Sequence, residues 1–150
     1  MYKKIMISIL ICFFAVAGGY AAEKGTSKEA KKMVEQAAAY LKANGKEKAL
    51  QEFNKANGKF VKGELYVFAY DMNGVMVAQP MNPESVGKNL LNEPDSKGKF
   101  FRKEINELAK TKGSGFVDYI YLNPVSKKEE AKATYIQREG DLIICCGAYK

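Results

Sequence analysis

The stretch from Leu65 to Leu91, LYVFAYDMNGVMVAQPMNPESVGKNLL, constrains the fold more than any other part of the chain. Leu65 to Tyr70 is apolar or aromatic at every position, which suits a strand buried on both faces. Asp71-Met72-Asn73-Gly74 supplies a turn, because Asp and Asn close local hydrogen bonds and Gly accepts positive φ. Val75 to Gln79 then returns as a partner strand. Pairing about that turn predicts Tyr70 opposite Val75, Phe68 opposite Val77 and Tyr66 opposite Gln79, all six side chains sharing one face. Gln79 is then a polar group at the end of an aromatic and aliphatic wall. Pro80, Pro83 and Pro94 stop regular structure from running on, so the next segment is predicted as a surface loop with at most one helical turn. Loops of this kind, held by a rigid sheet, often carry binding contacts.

The flanking segments supply the layers around that hairpin. Thr26 to Glu29 has the T-x-x-E spacing of a capping box, so a helix is predicted to start there. Ala30, Met33, Val34, Ala37 and Leu41 recur at helical spacing, and Asn44-Gly45 ends the run. A short second helix is predicted from Lys46 to about Asn54. A third runs from about Lys97 to Lys110, burying Phe101, Ile105 and Leu108. Phe116 to Leu122, Ala131 to Gln137 and Leu142 to Tyr149 read as three strands joined by turns at Asn123-Pro124-Val125-Ser126 with the KKEE run, and at Arg138-Glu139-Gly140-Asp141. The expectation is an α+β domain over residues 23–150, with a long leading helix on a five-stranded, mostly antiparallel sheet.

Residues 1–22 join Lys3 and Lys4 to an apolar run from Ile5 to Ala17 and then to small residues, the layout of a secretory signal peptide cut after Ala21 or Ala22. An uncleaved anchor, with the domain docking on a partner through its basic surface, is the alternative. The apolar run is shorter than the roughly 20 residues a spanning helix needs.

Composition then excludes whole classes of chemistry. The chain has no histidine, so Ser-His and Cys-His couples and imidazole-based zinc sites are impossible. Glu104 and Glu107, the paired carboxylates an enzyme would use, fall on what reads as an exposed helix face, and no enzymatic activity or cofactor is expected. The formal charge of +7 comes from scattered lysines with only Arg102 and Arg138 to make bidentate base contacts, which argues against nucleic acid and for a mild attraction to anionic ligands. Cys145-Cys146 are neighbours in a strand and point to opposite faces, so either two buried thiols or an intermolecular bond through the outward one is expected, and no metal site.

Lys132 is the first candidate for binding, because a half-buried lysine facing aromatic residues holds a carboxylate as a point charge; the alternative is a solvated strand lysine. Tyr70, Tyr119 and Tyr121 could offer hydroxyls to a ligand oxygen or be plain packing. Phe68 and Phe101 read as core first and pocket lining second, and Gln79 as a pocket amide or a satisfied core amide.

Taken together, D-x-x-G-x-x-x-A-x-P and V-G-K-N-L within 66–91, G-x-G-x-x-D-Y and N-P-V within 112–136, and the closing CGAY at 146–149 resemble the single Cache domains of bacterial extracellular sensors, over about Ala30 to Tyr149. The resemblance implies a PAS-like sheet under a long helix and a pocket for a small organic molecule, often a carboxylate. It also implies a role in signal transduction or chemotaxis, here through a separate membrane sensor, since no output domain follows Lys150. By position it implies binding roles for Lys132, Tyr119 and Tyr135, and for Gln79, which stands where the family often has histidine.

Overall fold

The computed structural model describes residues 24–150; the predicted export segment lies outside the described residues. Helix α1, Ser27–Asn44, opens on the predicted capping box. The Glu29 amide donates to Thr26 Oγ1 at 3.2 Å, and the Thr26 amide donates to Glu29 Oε2 at 2.8 Å, so two otherwise unmet backbone donors are satisfied. α2, Lys46–Phe53, follows at once. The strands are β1 (Val61–Lys62), β2 (Leu65–Asp71), β3 (Met76–Ala78), β4 (Ser114–Leu122), β5 (Glu129–Glu139) and β6 (Leu142–Tyr149), and α3 (Phe101–Thr111) precedes β4.

The sheet runs β1-β2-β6-β5-β4, with β3 also on β2, and every pairing is antiparallel. α1 lies across β5, β6 and β2. On that face Ala30, Val34 and Ala37 meet Val67, Ala69, Ile144, Cys146 and Ala148, with Phe53 and Phe60 closing the end. α3 covers part of the other face, where Phe101, Ile105 and Ala109 pack with Phe68, Tyr70, Val117, Tyr119, Ile136 and Ile143. Burying each Val, Ile or Phe side chain among them contributes about 1.5–3 kcal/mol, and period-two alternation along β2 and β6 splits their residues between the two cores.

The hairpin departs from its predicted register. Asp71 Oδ1 accepts from both the Asn73 and Val75 amides, at 2.8 and 2.9 Å, and the Asp71 amide donates to the Val75 carbonyl. The turn therefore absorbs Val75. Tyr70 pairs with Met76 and Ala69 with Ala78, across a bulge, so Met76 joins the α3-side core while Val77 packs on the α1 side. The other edge of β3 is occupied by the following loop, where the Met76 amide donates to the Lys88 carbonyl and the Gly87 amide to the Met76 carbonyl. Gly74 takes φ +87° at this turn, with Leu91 packed against it, a geometry a β-carbon would oppose.

Other boundaries moved for similar reasons. α3 begins at Phe101 rather than Lys97, because Asp95 Oδ1 accepts from the Lys97 and Lys99 amides and holds those residues in a turn. Leu108 is only half-buried, and Arg102 and Asn106 are buried instead; Asn106 Nδ2 donates to the Met72 carbonyl at 3.0 Å. Glu129 and Glu130 belong to β5, where backbone pairing with Leu122 and Tyr121 outweighs their charge. β1 was not anticipated, since two residues carry no periodicity.

Gly147 of β6 makes room for its neighbours on β5. A β-carbon there would sit 2.3 Å from Thr134 Oγ1 and 2.4 Å from Lys132 Cε. Gly147→Ala is expected to lower stability by about 1–3 kcal/mol, the usual range for overpacking, seen as a lower midpoint in chemical denaturation with an unchanged slope. Cys145 and Cys146 are both buried free thiols, which removes the intermolecular disulfide through an outward cysteine. Burial pushes the Cys145 thiol up and the Cys146 thiol to about 12. Both are therefore expected to resist an alkylating reagent in the native protein and to react after denaturation, as read by peptide mass spectrometry.

Candidate ligand-binding site

On the face not covered by α1, beyond the start of α3, the sheet and two loops enclose a cavity of about 180 Å³. β2 contributes Tyr66, β4 contributes Tyr121 and Leu122, the segment after β3 contributes Gln79, Met81 and Asn82, and the β4–β5 loop contributes Pro124 and Lys127. The wall is mainly apolar, with a few polar groups aimed by the backbone, the usual make-up of a small-molecule site.

Behind Tyr66 and Tyr121 lies Lys132, 1% exposed. Its Nζ donates to Tyr66 Oη at 3.0 Å. The same nitrogen lies 4.4 Å from the ring centre of Tyr66, 4.8 Å from Tyr149, 5.0 Å from Phe68 and 5.2 Å from Tyr121. Among the described residues no carboxylate lies within ion-pair distance of it. Ring faces stabilise a desolvated ammonium by about 2 kcal/mol, and a buried cation without a counter-ion keeps an unspent attraction for an anion. The lysine stem reaches this position over Gly147.

The surrounding hydroxyls are held as neutral donors. Burial pushes the Tyr119, Tyr121 and Tyr149 phenols above their ordinary range, and the neighbouring Tyr66 adds to the effect at Tyr149. Tyr149 Oη donates to the Leu122 carbonyl at 3.1 Å and lies 3.4 Å from Tyr66 Oη. Tyr119 Oη is bonded to Thr134 Oγ1 at 2.8 Å, and Phe101 stacks on its ring at 3.9 Å between centres.

Two loops complete the mouth. The Gln79 backbone N–H donates to Asn54 Oδ1, and its side-chain Oε1 accepts from the Met81 backbone N–H, so backbone and side-chain carbonyl are each held by one bond. Asn123 anchors the β4–β5 loop: its Oδ1 accepts from the Val125 amide at 2.9 Å, and its Nδ2 donates to the buried Glu64 Oε1 at 3.0 Å. Lys127, at φ +61°, brings a positive charge to the rim.

The sequence-derived candidates thus separate. Gln79 and Tyr121 line the cavity, with Lys132 directly behind it. Phe68 is a wall of the lysine cage, whereas Tyr70, Phe101 and Tyr119 are buried under α3, beside the cavity rather than in it. Tyr135 belongs on the other face: it packs under α1 with Lys31 Nζ 5.5 Å from its ring, because β5 alternation turns it away from Lys132. The sequence reading placed Tyr66 on the wall opposite Gln79 without naming it as a binding residue, although it falls at period two from Phe68, and it did not name Tyr149 as one either. It also missed Arg102, whose Nε donates to Tyr70 Oη and whose Nη1 donates to the Glu93 carbonyl.

Comparison with known proteins agrees with this architecture. The family model described as Cache domain matches residues 21–149. Among solved structures, the periplasmic sensor domain of a chemotaxis protein is 25% identical with a TM-score of 0.64, covering 81% of this chain and 88% of that one. A Cache chemosensory domain studied for carboxylic acid recognition is 25% identical with a TM-score of 0.69, covering 82% and 92%. A methyl-accepting chemotaxis protein from Vibrio parahaemolyticus shares the fold at 22% identity and a TM-score of 0.69, covering 81% and 86%. With its helix-covered antiparallel sheet and a family match over nearly all of its length, the chain belongs to the Cache-domain family.

Proposed function

We propose that this Cache domain binds a small organic carboxylate outside the cytoplasm and passes its occupancy to a sensor in the membrane, without catalysing a reaction. The observation that carries this reading is the buried Lys132 ammonium, caged by four rings at the back of the cavity and lacking a carboxylate partner among the described residues. A ligand carboxylate supplies the missing negative charge. Apolar Met81, Leu122 and Pro124 suit a short carbon chain, and the cavity volume suits a metabolite of a few heavy atoms. The carboxylic acid recognition described for a similar Cache domain supports the ligand class. The basic and apolar layout of residues 1–22 supports export through a cleaved signal peptide; a mature N-terminus at Ala22 or Glu23, found by N-terminal sequencing, tests this against the anchored alternative.

A thermal-shift screen of short carboxylates, amino acids and amines tests the binding reading. A carboxylate at one hundred times its Kd is expected to add about 2.7 kcal/mol to stability by mass action, while amines leave the melting temperature unchanged. Lys132→Ala is expected to weaken carboxylate binding at least tenfold, or about 1.4 kcal/mol. No shift with any compound, or unchanged affinity in Lys132→Ala, refutes the reading or its site.

The absence of histidine gives a second expectation. Carboxylate affinity in the wild type is expected to stay flat from about pH 5.5 to 8, because no side chain with an ordinary pKa in that window is present. In Gln79→His it is expected to rise as pH falls through about 6.5, since the imidazolium adds attraction only when protonated. Calorimetric titration across that range makes the check.

A further inference from the structure

Resting on that reading, we infer that the group touching the ligand carboxylate is the Tyr66 hydroxyl, and that Lys132 is a positioning residue acting through it. Lys132 is not part of the cavity wall, whereas Tyr66 is. The hydrogen bonds around the pair have a defined direction. Lys132 Nζ carries only protons and donates to Tyr66 Oη at 3.0 Å. Tyr149 spends its own proton on the Leu122 carbonyl at 3.1 Å. Among the described residues the Tyr66 proton is left with one contact, Tyr149 Oη at 3.4 Å, well beyond the 2.7–2.8 Å usual for O–H···O bonds.

A donor whose oxygen already accepts from an ammonium is polarised toward giving its proton away, and chains of hydrogen bonds strengthen one another in a low-dielectric site. An incoming carboxylate oxygen offers that proton a charge-assisted bond of normal length. Lys132 meanwhile fixes the Tyr66 hydroxyl and contributes positive potential across it. The cage excludes cationic ligands for the same reason, because its aromatic faces already hold an ammonium. The geometry therefore selects for the ionised acid over its neutral amide, and the selection resides in one hydroxyl.

The experiment titrates acetate, propionate, pyruvate and succinate, with acetamide and propionamide as neutral counterparts, into wild type, Tyr66→Phe, Lys132→Met and the double variant. Near-ultraviolet circular dichroism checks folding. Tyr66→Phe keeps the ring and its packing on the lysine, and is expected to lose tenfold or more in affinity for the tightest-binding carboxylate with little change for the amides. Lys132→Met is expected to weaken binding similarly, and the double variant to be no worse than the weaker single one. Direct ligation by Lys132 would instead leave Tyr66→Phe within threefold of wild type, or make the two losses multiply, and either result overturns the inference. Equal losses for carboxylates and amides in Tyr66→Phe overturn it too, since they mark a structural role. Should Lys132→Met fail to fold, the carboxylate-to-amide ratio in Tyr66→Phe decides by itself. Wild type that binds none of the six compounds would refute the ligand reading, whereas wild-type binding with an unaffected Tyr66→Phe refutes only the role of Tyr66.

Discussion

The placement of the Lys132 ammonium inside the domain is the interaction on which the rest of the site depends. A lysine without a counter-ion is among the least tolerated groups in an interior. Here four ring faces and one phenol oxygen hold it. Those rings come from three different strands, β2, β4 and β6, so the cage exists only when the strand order β2-β6-β5-β4 is complete. Gly147 belongs to the same arrangement, because any side chain there would occupy the path of the lysine stem.

The two faces of the sheet carry different duties. The α1 face is a closed apolar core, tight enough for Val34, Ala37 and Ile144 to be fully buried. The opposite face is closed by α3 over Phe101, Ile105 and Ala109, but beyond the start of that helix it is bounded by loops. Those loops are themselves pinned by hydrogen bonds made by polar side chains. Asp95 Oδ2 accepts from the Ile120 amide, Asn123 ties the β4–β5 loop to Glu64, and Asn54 at the end of α2 holds Gln79. A cavity mouth built this way has irregular backbone and fixed side-chain positions, which is how a shallow apolar wall comes to present a few oriented polar groups.

Much of this fold was legible in the sequence. The capping box at Thr26 and Glu29, the continuous apolar run of β2 and the strands of the last third each follow from local rules that need no partner. Family-specific residue combinations at 66–91, 112–136 and 146–149 led to the Cache family, which the family match bears out. The hairpin register was not legible, because a hydrogen bond from the Val75 amide to Asp71 Oδ1 shifts pairing by one residue and exchanges the faces of Val77 and its neighbours. Nor was the start of α3, where an Asp95 turn competes with helical propensity and wins.

For the site, the sequence by itself determined the chemical inventory: no imidazole, one lysine amid strand aromatics, a glutamine before Pro80, and paired cysteines unable to build a metal shell. Only the tertiary structure decided how that inventory is arranged. It put Tyr135 under α1 and Lys132 on the opposite face, because alternation along β5 separates residues three apart. It also brought Tyr66 and Tyr149, 83 residues apart, to the same ammonium. Local patterns specify which way a side chain points within its own strand, whereas the partner it meets depends on which strand lies alongside, and that choice belongs to the packing of the whole chain.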